Sequence, residues 1–395
     1  MDSQSRGAAK WLLVFLGFLV AVCFWPGQAE AAEASRWALL CVLVPFSLCF
    51  IEIRPNKVYY LGLIYALWAI STILWTAVWL DSVPATMQIA VISGSFLLGH
   101  ATTNISMVYR GLGMGLWVSS AICIAQALGY QPVVTVGGGN PPGLFVNPNI
   151  LGEISAVVLV ALLFSQAWVI AIGVVPSLLL SQSRASFLAV AVCGAVWLCM
   201  TLWHRWGRGW QSKLTFLGLF VFLAASTLAL PFLIGLTKWQ SGSLTQRIEI
   251  WLDAINGLTW LGNGLGSFYS TYPAHATHLD ITWIQPVHAH NDFLEVLFEL
   301  GLPGLVLLLA FLAAIFWKSQ QRERYILAAI CVCALFGFPL HSPATAFTFG
   351  IVAGCAVRGW DVVRDRKLYS RQLLHRRGER VNIKLTGGSS QAVPV

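Results

Sequence analysis

Long apolar segments separated by short polar stretches dominate the pattern along the chain. Each segment is long enough to form a helix in a bilayer, and the segments lack the short alternating pattern of membrane barrel strands. We therefore predict an all-α polytopic membrane protein, with a single integral membrane domain over residues 1–395. The twelve predicted transmembrane helices are 11–25, 37–53, 58–80, 86–100, 107–129, 149–165, 167–181, 185–203, 213–236, 292–317, 324–340 and 343–358.

The first span has two interpretations. Lys10, the apolar run after it and "GQAEAAEA" also fit a cleaved signal peptide. We favour a retained helix, and cleavage would not change the topology of the later spans.

Composition agrees with this class. Hydrophobic residues make up 57% of the 395 and charged residues only 10%, whereas about a quarter of a soluble domain is charged. The nine cysteines lie in or beside apolar segments and form no CxxC pair. We interpret them as small core residues and not as disulfides or metal ligands.

The distribution of lysine and arginine predicts the orientation. With the N-terminus in the cytoplasm, all of the 24 basic residues except Arg36, Arg184, Lys238 and Arg247 fall in cytoplasmic segments. Both termini are then cytoplasmic, and the basic tail 359–395 lies beside anionic headgroups. The net charge of +8 is explained by this asymmetry and does not indicate nucleic-acid binding.

One loop is much longer than the other connections. Residues 237–291 form a large loop on the outer face, and it contains "LTQRIEIWLDAING". There Ile248, Trp251, Leu252 and Ile255 recur with helical spacing, which predicts an amphipathic helix on the outer surface. Connections of this length are usually functional, so we expect the chemistry on this face.

Two of the four outward basic residues are candidates for binding an anion. Arg184 lies between two predicted spans in "SQSRASF", and Arg247 lies in the amphipathic segment. Both arginines could simply extend toward lipid headgroups, which is common at membrane edges. The functional alternative is a clamp for a diphosphate, because guanidinium is permanently charged and binds two phosphate oxygens at once.

The stretch "HAHNDFLEVLFELGLPG" begins an apolar span with polar side chains. Asp292, Glu295 and Glu299 share one helical face, which should line a polar cavity because a charge facing lipid costs about 3 kcal/mol. A histidine at such a rim can accept a proton near neutral pH, so His288 and His290 are both candidate general bases. Spacing alone does not choose between them.

Other histidines lie on the same predicted face. His275 and His278 would be metal ligands only if they joined His288 or His290, and no compact ligand spacing supports this, so we predict no metal and no cofactor. His341 is expected outside the membrane and could line the same cavity. "GLPG", residues 301–304, should kink the helix.

Four motifs in order resemble the O-antigen ligase and polymerase superfamily, bacterial membrane glycosyltransferases of the GT-C type. They are "GLFVNPNILGE", "QSRASFLAV", "RIEIWLDAINGLTWLGNGLGSF" and "HAHNDFLEVLFELGLPG", and the resemblance spans roughly residues 143–355. It implies inverting, metal-independent transfer of an undecaprenyl-diphosphate-linked glycan at the periplasmic face of the bacterial inner membrane. It also implies that His290 is the catalytic base and that Arg184 and Arg247 bind the donor diphosphate, with Asn291, Glu299 and His288 in support.

The resemblance leaves the acceptor open. It could be the lipid A–core oligosaccharide, the growing end of another lipid-linked glycan or a protein hydroxyl, as in O-antigen ligases, polymerases and protein O-oligosaccharyltransferases respectively. We favour the lipid A–core, because the chain has no large soluble C-terminal domain and its one large outer loop lies between late spans. The rival from another class is a polyisoprenoid or polysaccharide transporter. It is disfavoured because the charged side chains gather at one rim and no internal repeat is seen.

Overall fold

The computed structural model describes residues 3–25, 32–49, 57–102, 104–133, 140–206, 242–282 and 285–358. Within these ranges the regular structure is helical, and no β-strand occurs. The α-helices are α1 Ser3–Val22, α2 Glu33–Leu48, α3 Lys57–Ser71, α4 Ser82–Ala101, α5 Ser106–Ala127, α6 Pro148–Phe164, α7 Trp168–Ser181, α8 Arg184–Trp206, α9 Gly242–Asn256, α10 Phe268–Thr271, α11 Asp292–Lys318, α12 Gln321–Phe336 and α13 Pro343–Arg358. Short 3₁₀ helices cover Thr72–Trp75, Trp79–Asp81, Gly143–Phe145 and Tyr272–His275.

The all-α prediction is confirmed, and a helix covers most of each predicted span that lies among the described residues. The predicted span 213–236 and the basic tail 359–395 lie outside them, as does Lys238. Four helices are long and apolar enough to cross a membrane, namely Lys57–Trp75, Trp79–Ala101, Ser106–Ala127 and Asp292–Lys318. The count of twelve spans and the periplasmic side of the large loop remain predictions.

Helix α6 is the centre of the bundle. Every residue from 150 to 162 is buried, and the helix packs against α5, α7, α8 and α12. Its N-terminus is fixed by Asn147, whose side chain accepts a hydrogen bond from the Asn149 N–H, with Pro148 at the first position. A helix that is apolar all round is stable only when other helices surround it, as they do here.

Small residues allow helices α1 and α5 to approach closely. A side chain at Gly111 would collide with the Val14 carbonyl, and one at Gly17 would lie 2.5 Å from the Val108 carbonyl. Packing through small residues is typical of helices in lipid, where no hydrophobic force draws apolar faces together. Replacing either glycine would separate the two helices.

Arg36, one of the four basic residues predicted to face outward, is a structural residue. It is buried, and its guanidinium donates hydrogen bonds to the carbonyls of Val20, Ala21, Ala32 and Leu144. It thereby holds the ends of α1 and α2 to the loop before α6, so it does not contribute to an anion site.

Helix α11 is kinked at Gly301, as "GLPG" predicted. Gly301 has φ 67°, a conformation that glycine adopts without steric cost. The kink leaves the Phe298 and Glu299 carbonyls without helical partners, and the N–H groups of Asn263 and Gly264 bind them at 2.9 and 2.8 Å. The glycine-rich loop after α9 is thus attached to the kink.

The same loop region is anchored a second time by Asp253 of α9. Its buried carboxylate accepts hydrogen bonds from the backbone N–H groups of Thr277, His278 and Leu279 and from the Tyr272 hydroxyl. Burial alone would raise the pKa of Asp253, but these hydrogen bonds lower it well below its usual range. The carboxylate therefore acts as a charged anchor for this loop.

Candidate functional site

The candidate site lies where α11 begins. The loop His288–Asn291 enters the helix, and Asn291 caps it by accepting hydrogen bonds from the N–H groups of Phe293 and Leu294. The turn between α12 and α13 and one face of α9 pack against this end. Asn291 is therefore a supporting residue through its backbone role.

A hydrogen-bonded cluster of two histidines and two carboxylates occupies this end of α11. Asp292 Oδ1 lies 2.8 Å from His341 Nδ1, and Glu295 Oε1 lies 2.8 Å from His288 Nδ1 and 3.4 Å from His341 Nε2. The remaining carboxylate oxygens accept the N–H groups of Leu340 and Ala289. The prediction that Asp292 and Glu295 face a polar interior is confirmed.

His341 carries a positive charge in this cluster. Burial would lower its pKa, but the charge of Glu295 and the hydrogen bond and charge of Asp292 raise it to about 10. The resulting imidazolium offsets one of the two negative charges of Asp292 and Glu295. His341 also contacts His288, with ring centroids 4.7 Å apart, as expected if both belong to one cavity.

His290 differs from its neighbours. Its backbone has φ 52°, which is strained for a residue with a side chain and is typical of functional sites. Its ring packs 5.2 Å from the Phe338 ring and has no hydrogen bond to the part of the chain that the structure describes. Burial, followed by the charge of Arg247, lowers the pKa of His290 to about 4, so its imidazole is neutral at physiological pH.

The two candidate arginines lie on different elements. Arg184 begins α8 directly after the turn that ends α7. Arg247 lies on α9 and donates a hydrogen bond of 2.7 Å to the Phe336 carbonyl at the end of α12. Burial lowers the pKa of Arg247, and the charge of Arg184 lowers it further. Arg247 is thus within electrostatic range of both Arg184 and His290.

Helix α9 has the predicted amphipathic character, with one face exposed and the other buried. Ile248, Leu252 and Ile255 are exposed, whereas Ile250 and Ala254 are buried against the loop that follows. An exposed apolar stripe suits a helix lying at a lipid interface. This orientation turns the half-buried Arg247 toward the bundle.

The histidines that could hold a metal in the structure differ from those considered from the sequence. His278 is bound to Asp253 at 2.7 Å and His275 packs on Phe298, so neither joins His288 or His290. Instead His288, Glu295 and His341 offer ligand atoms within 4.8 Å of one another and could hold an ion. The short contacts in this set are hydrogen-bond distances, so protons already satisfy the same atoms.

Glu299 holds the loop after α9 against α11. Its two carboxylate oxygens accept the N–H groups of Gly266 and Phe268 at 2.9 and 3.0 Å. The sequence placed Glu299 correctly on the same face as Asp292 and Glu295, but spacing could not reveal that the large loop folds back to meet it. Its supporting role is to position that loop.

An apolar cavity of about 180 Å³ lies behind the cluster, between α3, α4, α11 and α13. Asp292, Glu299 and His341 form part of its wall, so the cavity reaches the polar cluster from the side of the apolar helices.

Glu153 also lies near the site. It was not among the residues predicted from the sequence, although it is the last residue of the first of the four motifs.

If His290 is the general base that the resemblance implies, the pH dependence of the reaction should report its unusual pKa. kcat/KM should stay level from neutral pH down to about pH 5 and fall through pH 4, because a protonated imidazole cannot accept a proton. The sequence alone predicted this fall in the ordinary histidine range. A bound diphosphate would offset the charge of Arg247 and raise the pKa of His290, so kcat should fall at a higher pH than kcat/KM.

Steady-state rates between pH 4 and 8, with melting temperatures measured at each pH, test this expectation. A single inflection near pH 6.5 in both parameters would contradict it.

These features are those of an all-helical protein with four helices long and apolar enough to cross a membrane and a polar site at one end of the apolar bundle. A family model described as O-antigen ligase matches residues 167–309, from the start of α7 into α11. The match confirms the resemblance to the O-antigen ligase and polymerase superfamily. Arg184, Arg247, His288, His290 and Glu299 lie within the matched range. No curated protein matches the chain.

Proposed function

We propose that the protein is an O-antigen ligase. It transfers an undecaprenyl-diphosphate-linked O-antigen glycan to a hydroxyl of the lipid A–core oligosaccharide, at the periplasmic face of the inner membrane. The observation that carries the proposal is the strained backbone of His290, within electrostatic range of Arg247 and inside the segment 167–309 that matches the O-antigen ligase family model.

The proposed chemistry is a single inverting displacement. The acceptor oxygen bonds to the anomeric carbon from the face opposite the diphosphate, and His290 accepts the hydroxyl proton. The bond between the anomeric carbon and the diphosphate oxygen breaks, and undecaprenyl diphosphate leaves with its electron pair. Arg184 and Arg247 stabilise the charge that develops on the leaving group.

Three features of the site support these roles. Burial and the charge of Arg247 lower the pKa of His290 to about 4, which keeps its imidazole unprotonated in the empty site. A bound diphosphate that offsets the charge of Arg247 would raise this pKa toward the operating pH, where a general base is most effective. Arg247 makes one backbone hydrogen bond and remains half-buried, so part of its guanidinium can bind phosphate oxygens. The His341 imidazolium offsets part of the negative charge of the clustered carboxylates, which limits their repulsion of an anionic donor.

A polymerase would use the same donor site and differ in its acceptor, and the family match covers both activities. Purified protein should be given a labelled lipid-linked glycan, with either lipid A–core or a second lipid-linked glycan as acceptor. We expect label on lipid A–core and no lengthening of the lipid-linked glycan. Lengthening alone would assign the polymerase activity.

The same assay tests metal independence. EDTA should leave the rate unchanged, because the arginines supply the positive charge that a metal would bring to the diphosphate. Loss of activity with EDTA and its recovery with a divalent ion would instead assign His288, Glu295 and His341 as a metal centre.

A further inference from the structure

Glu153 is a buried carboxylate for which the proposed mechanism has no use. It lies on α6 with 1% of its surface exposed, and its Oε2 has no hydrogen-bond partner among the described residues. An ionised carboxylate in an apolar interior costs several kcal/mol, so such a group either takes up a proton or is compensated by an opposite charge. Two arginines near Glu153 offer the second route.

The neighbours of Glu153 connect it to both arginines of the donor site. A side chain at Gly337, which follows Phe336 at the end of α12, would collide with Glu153 Oε1. The Phe336 carbonyl is the group that holds the Arg247 guanidinium. The Glu153 carboxylate thus lies one residue away from the anchor of Arg247.

The other side of Glu153 adjoins the turn that carries Arg184. A side chain at the preceding Gly152 would lie 2.5 Å from Ser183 and 2.8 Å from the Ser181 hydroxyl. Helix α6 therefore contacts the α7–α8 turn at the residue next to Glu153. The carboxylate lies between the backbone elements that present the two guanidinium groups.

We propose that Glu153 is the counter-charge of the arginine pair, Arg184 and Arg247, in the empty donor site, and that the donor diphosphate takes over this role on binding. The proposal rests on the proposed function of the arginines. In the part of the chain that the structure describes, no hydrogen bond joins Glu153 to Arg247. Glu153 acts through its charge, which favours the ionised form of Arg247 against the repulsion of Arg184. It is a positioning residue, and its charge weakens the binding of anions.

The sign of this effect separates the proposal from a purely structural role. Neutralising Glu153 removes a negative charge next to an anion site and breaks no hydrogen bond to Arg247. Binding of inorganic pyrophosphate should then tighten by about tenfold, the order expected for one nearby charge at an effective dielectric constant of about 20. A structural residue would weaken binding when replaced.

Calorimetric titration of the purified full chain with inorganic pyrophosphate tests the proposal. Glu153→Gln and Glu153→Ala should both tighten binding, so the result does not depend on one variant folding, and Glu153→Asp should stay close to wild type. Glu323→Gln is the matched control, because Glu323 is also buried with one unpaired oxygen but lies at the opposite end of α12. It should not change pyrophosphate binding.

The steady-state kinetics of Glu153→Gln should also change. Where release of undecaprenyl diphosphate limits turnover, its tighter binding should lower both kcat and the donor KM in Glu153→Gln. Unchanged or weaker pyrophosphate binding in the charge-removing variants, with weaker binding in Arg184→Ala and Arg247→Ala, would overturn the inference and leave the proposed function intact. If the arginine variants also bind pyrophosphate normally, the donor-site assignment itself fails.

Discussion

His290→Ala should lose transfer by about 10²–10⁴-fold, the contribution typical of a general base. The acceptor hydroxyl is a poor nucleophile until its proton is removed, and His290 is neutral above pH 5 because burial and Arg247 lower its pKa to about 4. The loss should appear in kcat, with donor binding unchanged. Initial rates with lipid-linked donor and lipid A–core acceptor, and pyrophosphate titration as a binding control, measure both quantities.

His288→Ala is the matched control, since His288 is two residues away on the same loop and packs on the same Phe338 ring. Its Nδ1 is held by Glu295 at 2.8 Å, and we expect a milder loss through displacement of the loop. The histidine–carboxylate pair is also a geometry that bases adopt. If His290→Ala stays active and His288→Ala instead loses transfer by about 10²–10⁴-fold, the general base is His288.

Arg247→Ala should reduce kcat by about 10²–10³-fold, the loss found when one donor to a developing anion is removed. Arg184→Ala should behave similarly, because the diphosphate gains charge as the glycosidic bond breaks. Lysine should rescue poorly at either position, since an ammonium group cannot bind two oxygens in one plane. Transfer rates and pyrophosphate affinity of the four variants give the result.

Arg324 provides a matched control for Arg247. Its guanidinium also donates a hydrogen bond to a carbonyl near a helix end, that of Phe316 on α11. Arg324 is exposed and lies at the start of α12, whereas Arg247 binds the carbonyl at the end of α12. Arg324→Ala should leave transfer unchanged. Full activity of both Arg184→Ala and Arg247→Ala would show that neither arginine binds the donor diphosphate. Arg184 could then simply extend toward lipid headgroups, and Arg247 would hold the end of α12.

The sequence by itself determined the class of protein and the approximate positions of the helices. Apolar segments of helical length can satisfy their backbone groups in lipid only as helices or closed barrels, so composition and period decide the class. Helix α6 and helix α11 begin close to their predicted residues because Asn147 and Asn291 are N-caps with local sequence signatures. The kink at Gly301 was predictable for the same local reason.

The sequence also identified Arg184, Arg247 and His290 as candidate site residues. The signals were the scarcity of outward basic residues and the motifs that the family match supports. It could not distinguish His290 from His288. Both are histidines on one loop, and only folding buries His290 beside Arg247 while it pairs His288 with Glu295. The low pKa of His290 is therefore a property of the tertiary structure.

Tertiary structure alone decided the partners of the carboxylates. Glu299 lies on the predicted face, yet it binds the backbone of Gly266 and Phe268, more than thirty residues earlier in the chain. Asp292 pairs with His341, forty-nine residues later. Glu153 lies beside Gly337 and near Arg247 because α6, α9 and α12 converge at one rim. Sequence periodicity assigns a residue to a helix face, but contacts between distant segments depend on how the helices pack.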